Sequence, residues 1–435
     1  MTEALDKTAP ASAPARKPML TVRQALDFLL DAARPVDGVE HVDTLEANGR
    51  VLAEDQVSLL DVPSADNTQM DGYAVRAADC AGGNARLRVV QRIPAGSIGQ
   101  FLEPGTAARI FTGALMPDGA DAVVMQEQCE RSGDPAAGDP AAGDMVTIRH
   151  TPQPGEWIRR RGEDVRAGAV ILAAGTRLRS QELGLAASVG LATLPVRRRL
   201  RVAVFFTGDE LAMPGEPLKR GSIYNSNRFT LRALLENLGC EFTDYGIVPD
   251  SLQATRDTLR EAARGHDLII TSGGVSVGEE DHIKPAVEAE GRLNMWQIAV
   301  KPGKPLAFGQ VRRSGADEAA DNAFFIGLPG NPVSSFITFL LFVRPFLLRL
   351  QGVSGPVEPR AIPMRADFDW PRADRRNEFL RARMNGEGGL ELFPNQGSGV
   401  LTSTAWADGL IDNPPGQAIA RGDVVRFIPF AALQY

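Results

Sequence analysis

An apolar run, Leu268-Ile269-Ile270-Thr271, leads directly into Ser272-Gly273-Gly274-Val275-Ser276-Val277-Gly278 and then into Glu279, Glu280 and Asp281. Glycine tolerates torsions that other residues resist, so such a turn lets a phosphate approach the backbone amides closely. Downstream, Lys301-Pro302-Gly303-Lys304-Pro305 puts two cations on a stiffened turn able to aim both ammonium groups at one oxyanion. Gly327-Leu328-Pro329-Gly330-Asn331-Pro332 then opens a helix, whose N-terminal end favours anions. Asp281, Asp250, Glu210 and Asp209 supply the oxygen donors a hard cation needs, with phosphate oxygens as the remaining ligands. The combined chemistry is Mg²⁺-dependent handling of a phosphorylated or anionic substrate.

Plainer roles stand beside these. The Gly273-Gly274 pair also suits a bare turn between strand and helix, and Asp250 also suits the cap of a helix starting at Ser251. Asp209 and Glu210 are equally placed to stabilise a helix start through its dipole. A second cationic set, Arg159-Arg160-Arg161-Gly162-Glu163-Asp164, reads either as phosphate-binding forks with neighbouring acids or as a solvated charge run. His41, His150, His266 and His282 show no metal-ligand spacing and no Ser-His-Asp arrangement, which argues against histidine-based nucleophilic catalysis.

Positioning these residues requires several domains, which 435 residues with 43% hydrophobic content can build. The formal net charge of −7 argues against a nucleic-acid binder, because backbone affinity needs a broad cationic excess. Cys80, Cys129 and Cys240 lie far apart and fit neither a disulfide framework nor a zinc site, which suits a reducing cytoplasm. The Ala- and Pro-rich stretch 1–18 lacks the apolar core of a signal peptide and reads as a disordered tail. The apolar run Phe336–Val343 is cut by Arg344-Pro345, short of the ~20 residues a bilayer span needs, and reads as a buried or interface helix.

Thr21-Val22-Arg23-Gln24 is a capping box that opens a first helix ended by Pro35. Short β-type runs between Gly and Pro then define a β-rich module, carrying a low-complexity repeat from Asp134 to Asp144 that reads as a hairpin tip. A helix near Gln181 to Val189, with Ser180 as N-cap, leads to Arg197-Arg198-Arg199, read as a solvated domain edge. Strands and helices alternate from Val202 to Thr271, predicting a parallel sheet covered on both faces, with ligands collecting at strand carboxyl ends. After Gly352 the pattern is that of a small β-barrel or sandwich. The division read from this is a tail at 1–18, a helical or mixed N-terminal domain of 19–50 with 151–196, and an inserted β-rich domain of 51–150. An α/β domain at 197–353 and a β-barrel at 354–435 complete it.

These motifs, in this order, resemble the molybdopterin molybdenumtransferase family (MoeA, and the E domain of gephyrin). The likeness runs from Thr21 to the carboxyl terminus through Asp66–Val75, Ile110–Gly113, Arg159–Asp164, Thr207–Leu211, Ser272–Asp281, Lys301–Pro305, Gly327–Val333, Glu378–Arg381 and Gln396–Gly399. The resemblance implies a multidomain α/β chain whose third domain has the three-layer αβα parallel sheet (MogA-like) of the adenylyltransferase partner. It further implies a homodimer, with the cleft between that domain and parts of the other subunit. The implied reaction takes adenylylated molybdopterin and molybdate, uses Mg²⁺ or a similar divalent cation, and releases AMP. Asp281, Asp250 and Glu210 match acidic site and metal positions, and Lys301, Lys304 and Arg381 match cations that offset charge. Ser272, Gly273, Gly274, Ser276 and Gly278 match the cofactor-binding turn, as do Pro329 and Pro332 the loop that shapes the cleft. Asp66, Thr112, Arg159, Asp164 and Ser398 match further functional positions. Gln297 stands where the family commonly has a lysine, removing one cation from the anion site; Phe206 and Thr68 replace frequent serines. Molybdopterin adenylyltransferase, and molybdoenzymes or their chaperones, are the implied partners, with neither nucleic acid nor membrane among them. A dimeric peptide-binding scaffold of the gephyrin type and molybdopterin adenylylation itself are the alternatives.

Overall fold

The computed structural model describes residues 19–132, 143–275, 282–313 and 322–433. Ser276, Gly278 and Asp281, the 1–18 segment and most of the Asp134–Asp144 repeat lie outside the described residues.

At the centre is a six-stranded sheet in the order Glu241–Val248, Arg201–Thr207, Leu268–Ser272, Asn322–Leu328, Pro305–Arg312, Gly291–Gln297. The first four strands run parallel, whereas Pro305–Arg312 and Gly291–Gln297 are antiparallel additions, so the sheet is mixed rather than wholly parallel. Successive side chains of a strand face opposite sides. Val202, Val204 and Phe206 therefore enter one core, and Ala203 and Phe205 the other. Helix Ser226–Asn237 covers the first face through Leu231, Leu234 and Leu235, and helices Leu252–Gly265 and Ile283–Glu290 cover the second. The result is the three-layer αβα arrangement.

Pro332–Leu350 also packs on the first face, and it overturns one expectation. Arg344-Pro345 does not end the helix: a π-helical stretch, Phe339–Val343, precedes the proline and the backbone continues as helix to Leu350. Widening the turn is how a helix accommodates a residue that lacks an N–H and crowds the preceding carbonyl. The 19-residue helix is long and apolar enough to cross a membrane, yet 94% of it is buried inside the protein, which spends its apolar surface on the core.

Five strands, Ile362–Ala366, Asn377–Met384, Gly389–Leu392, Gly409–Asn413 and Val424–Pro429, close into a barrel, because Asn377–Met384 pairs with both Gly389–Leu392 and Gly409–Asn413. The short strand Val300–Lys301 joins this barrel, running parallel to Asn377–Glu378. A second six-stranded sheet, spanning Gly72–Val75 to Met145–Ile148, forms the β-rich part. Strands Val39–Asp43 and Thr193–Arg197 pair antiparallel and bring the segments on either side of it together. The Thr21–Gln24 capping box forms as read. The helix Ser180–Ser188 begins at its expected cap, one residue earlier than read, and the cap position passes to Arg179, whose backbone N–H donates to Glu182 at 2.9 Å.

Arg197-Arg198-Arg199 is not a solvated edge. Arg198 grips Asp267 through both terminal nitrogens (2.7 and 2.8 Å), and Arg199 donates to the Gly239 carbonyl at 3.0 Å. Asp267 also accepts from the Arg201 backbone N–H at 3.0 Å. Burial works against its charge, but these hydrogen bonds outweigh burial and hold its carboxyl below the usual range. A depressed carboxyl stabilises the fold above its unfolded-state pKa of about 3.9, and the contribution disappears as pH falls through the folded value. Asp267→Asn should cost about 3–5 kcal/mol at neutral pH, since it leaves Arg198 half-buried and unpaired. Urea unfolding should show the difference from wild type shrinking as pH drops below about 4. Asp267 precedes strand Leu268–Ser272 and so sits at the opposite end of the sheet from the Gly273 turn, leaving activity per folded molecule unchanged.

Candidate functional site

At the carboxyl ends of the parallel strands lies a cavity of about 850 Å³. Thr207, Ser272 and the Gly273-Gly274 turn line it from the sheet; Lys301 to Pro305 line it from the connection to the antiparallel strands; Arg376 and Gln396 to Ser398 line it from the barrel. Of the expected site residues, Glu210, Asp250, Ser272, Gly273, Gly274, Lys301, Lys304, Pro329, Pro332 and Ser398 all line this one cavity.

Local structure explains how. Gly273 sits at φ +100°, and a side chain there would start 2.8 Å from the Thr207 carbonyl, so the turn closes tightly against the neighbouring strand end. Gly303, at φ +111°, lies against Thr338 of the long core helix, which seats the Lys301–Lys304 turn on the core. Ser251, rather than Asp250, caps helix Leu252–Gly265 by accepting from the Ala254 N–H, so Asp250 is exposed and has no capping duty. No helix starts at Asp209-Glu210 either: Leu211–Ala212 is a strand paired with Ile223–Tyr224, which removes the dipole reading. Asp209 does not line the cavity, whereas Glu210 does.

Three expected roles change once side-chain partners are known. The Ser272 hydroxyl is already engaged, donating to the Pro329 carbonyl (3.0 Å) and accepting from Asn227 Nδ2 (2.8 Å); Asn227 also donates to the Gly330 carbonyl at 2.8 Å. Ser272 thus locks two loops together. Lys301 is not a free cation: its Nζ sits 2.9 Å from Glu378 Oε1 and 3.2 Å from Asp374 Oδ2. Burial opposes the ammonium, but the hydrogen bonds and charges of Glu378 and Asp374 win and raise its pKa. Arg381 does not line the cavity at all. It is 1% exposed, donates to Ser403 Oγ and the Phe379 and Gly397 carbonyls, and burial pushes its pKa down to about 10.

Asp66, Thr112, Arg159 and Asp164 do not line this cavity. They gather on their own surface, where Ile158–Arg159 pairs with Asn67–Thr68, and Gly113 and Met116 donate to Thr68 and Asp66 carbonyls. Asp66 accepts from Arg160 Nη1 (2.6 Å) and the Arg161 N–H (2.8 Å), while Thr112 donates twice to Asp71 Oδ1 at 2.7 Å. Thr112, Arg159 and Asp164 are exposed.

Sequence reasoning missed Asn225 and Arg376. Asn225 lines the cavity at 2% exposure; its Oδ1 caps helix Ser226–Asn237 at 3.2 Å from the Arg228 N–H, while Nδ2 has no partner among the described residues. Thr207 Oγ1 is likewise buried with no partner among the described residues. The Asn225-Ser226-Asn227 run carried only a helix-start signal, which hid the cavity-lining amide. Arg376 lines the cavity and is held by Asp374, through Nε to Oδ1 at 3.0 Å and Nη2 to Oδ2 at 2.9 Å. The only signal was its place two residues before the Glu378–Arg381 motif, just outside it. Gln297, at the end of its strand, does not line the cavity, and Phe206 is buried in the core. The three cysteines are free thiols, and burial pushes Cys80 to about 11 and Cys129 and Cys240 to about 12, well away from thiolate chemistry at neutral pH.

Residues 20–190 match the family described as MoeA N-terminal region (domain I and II), 203–349 match the probable molybdopterin binding domain, and 363–430 match the MoeA C-terminal region (domain IV). A molybdopterin molybdenumtransferase of Haemophilus influenzae is 41% identical over 377 residues, covering 86% of this chain and 89% of that protein. One from a Nostoc species is 36% identical over 413 residues, covering 92% and 91%. The crystal structure of the molybdopterin biosynthesis MoeA protein from Pyrococcus horikoshii superposes with a TM-score of 0.78 at 30% identity, covering 95% of this chain and all of that one. Matches along nearly the whole length, in fold and in sequence, show that the chain belongs to the molybdopterin molybdenumtransferase (MoeA) family.

Proposed function

We propose that this chain inserts molybdenum from molybdate into adenylylated molybdopterin and releases AMP. The observation that carries the reading is the single cavity at the strand ends, shared by two carboxylates, a glycine turn, two lysines and an arginine. Glu210 and Asp250 bring acid, Gly273-Gly274 brings amide approach, and Lys304 brings a charge with no ion pair among the described residues. The buried Asn225 Nδ2 and Thr207 Oγ1 support a polar ligand, since buried polar groups are nearly always hydrogen-bonded.

A divalent cation such as Mg²⁺ fits the donor set. Among the described residues no cluster of three His, Cys, Asp or Glu ligands forms, but Mg²⁺ is commonly held by one or two carboxylates together with substrate phosphates. Glu210 and Asp250 would be those carboxylates, with Asp281 proposed as a third. When bound, the ion draws charge from the phosphoryl oxygens and polarises the link to be cleaved. The protein side chains do the rest: the glycine turn and Asn225 bind and orient the phosphoryl end. Lys304, Arg376 and Ser398 receive the oxyanion, and Pro329 and Pro332 hold the wall between them.

We further propose a homodimer in which Asp66, Thr112, Arg159 and Asp164 of one subunit complete the cavity of the other. The exposure of Thr112, Arg159 and Asp164, and the place of all four outside the lining of their own chain's cavity, support this. The division into tail, mixed, β-rich, α/β and barrel domains is proposed with the same boundaries read from the sequence. A cytoplasmic setting, supply of substrate by molybdopterin adenylyltransferase and delivery to molybdoenzymes or their chaperones follow from the same reading.

The test mixes the protein with adenylylated molybdopterin, molybdate and Mg²⁺ and measures AMP and metal-loaded product. AMP release dependent on molybdate supports the proposal; adenylylate formed from ATP would favour the preceding step, and no turnover would favour a scaffold. For the dimer, Asp66→Asn and Asp250→Asn proteins, each inactive alone, should regain about a quarter of wild-type activity when subunits are exchanged at equal concentration, because half of a random mixture is mixed dimer with one intact site. No recovery after verified exchange would place Asp66 outside the shared site.

A further inference from the structure

Of the cations lining the cavity, Lys301 and Arg376 already face carboxylates, and both pairings converge on Asp374. One oxygen of Asp374 takes the Arg376 backbone N–H and Nε, each at 3.0 Å; the other takes Arg376 Nη2 at 2.9 Å and Lys301 Nζ at 3.2 Å. The Arg376 hydrogen bonds, with those from Lys301, hold its carboxyl far below the usual range, so it carries its charge at any working pH. Glu378, the other partner of Lys301, is 1% exposed and also accepts from Trp370 Nε1 at 3.0 Å, which fixes it in the barrel wall. Asp374, in contrast, lies in the connection between strands Ile362–Ala366 and Asn377–Met384 and does not itself line the cavity.

Two effects of Asp374 oppose each other. It holds Lys301 and Arg376 in place, and it offsets their field from behind. Lys301 keeps its bond to Glu378, and its backbone is paired into the barrel, so its position does not depend on Asp374. At Lys301 the field term is therefore the larger, and at Arg376 the two contacts to Asp374 Oδ1 are ones an amide oxygen can keep. Resting on the reading of molybdate as substrate, we propose that Asp374 sets the oxyanion affinity of this site: its charge attenuates the attraction of Lys301 and Arg376, and removing it tightens the binding of a tetrahedral dianion.

The experiment measures binding of molybdate, and of the tetrahedral monoanion perrhenate, to the full-length protein at fixed ionic strength by calorimetry. Asp374→Asn removes the charge and keeps one acceptor, for the Arg376 backbone N–H and Nε, while giving up the contacts to Arg376 Nη2 and Lys301 Nζ; Asp374→Ser serves if it folds poorly. The expected result is molybdate binding about tenfold tighter in the variant, a difference of about 1.4 kcal/mol. Perrhenate should gain less, because attraction scales with the charge of the ligand. Weaker or unchanged molybdate binding, or equal gains for both anions, overturns the proposal and makes Asp374 a positioning residue only. Lys304→Ala in the same assay separates the two levels of the argument. If wild type binds molybdate and this variant does not, the anion site stands whatever Asp374 does; if wild type binds no molybdate, the functional reading falls and this inference with it.

Discussion

An Asp250→Asn protein is expected to fold with wild-type stability and to release AMP roughly 10²–10³-fold more slowly, the loss typical of removing one well-placed electrostatic group from an active site. The carboxylate is exposed and the helix behind it is capped by Ser251, so the substitution disturbs no structural hydrogen bond. Asparagine keeps the shape and removes the charge, which isolates what the charge does. Glu210→Gln should act in the same direction, since both residues line the same cavity. If the two carboxylates share one cation, the double variant should lose little beyond the worse single, as groups acting as a unit are strongly non-additive. Steady-state AMP release together with a thermal melt decides the matter: unchanged turnover in Asp250→Asn, with the melt unaltered, would remove this residue from the site.

Arg381→Ala is expected to destabilise the chain by about 3–5 kcal/mol, among the largest effects of any single change here. The side chain is among the largest fully buried ones, and its loss leaves a void together with unpaired carbonyls at Phe379 and Gly397 and a weakened Ser403. Unpaired buried acceptors cost about 1–3 kcal/mol each. The backbone of Arg381 also exchanges hydrogen bonds with the Gln396 side chain, at 2.9 and 3.0 Å. Through these contacts Arg381 holds the 396–398 loop that lines the cavity, so activity should fall as a rise in KM for molybdate. Arg381→Lys separates this role from direct contact with substrate. A lysine retains the charge but lacks the fork that reaches three acceptors, so it should remain impaired in both stability and KM. A lysine variant with restored turnover and a persistent loss of stability would instead favour direct charge contact. Urea unfolding and molybdate titration read the two quantities separately.

Much of this architecture was legible because short-range signals carried it. The apolar strand ending at Ser272, the glycines after it, and the Thr21–Gln24 box each depend on residues within a few positions, and each folds as its local chemistry dictates. The direction of Pro305–Arg312 was not legible, since its apolar pattern serves equally for a parallel or an antiparallel neighbour. Nor could the sequence show that Arg344-Pro345 would be absorbed by a π turn, because that depends on the core enclosing the helix. In the site, residue types were readable while their partners were not. The carboxylates that hold Lys301 lie more than seventy positions away, and only the fold brings them to it. Arg381 carried the signature of a cation for an anionic ligand and turned out to hold backbone carbonyls, a distinction that burial alone makes.

The parallel pairing of Val300–Lys301 with Asn377–Glu378, extended by the Asn377 N–H donating to the Ala299 carbonyl, ties the floor of the cavity to the barrel through main chain, while the Ile298 N–H donates to the Lys304 carbonyl and closes the turn on itself. Lys301 is therefore held from two sides, by the barrel strand and by the Gly303 turn seated against Thr338, so the basic wall is fastened to the same core that carries Glu210 and Asp250. The gap between the acidic and basic walls is thus set by main chain on both sides, like the fixed opening of a spanner.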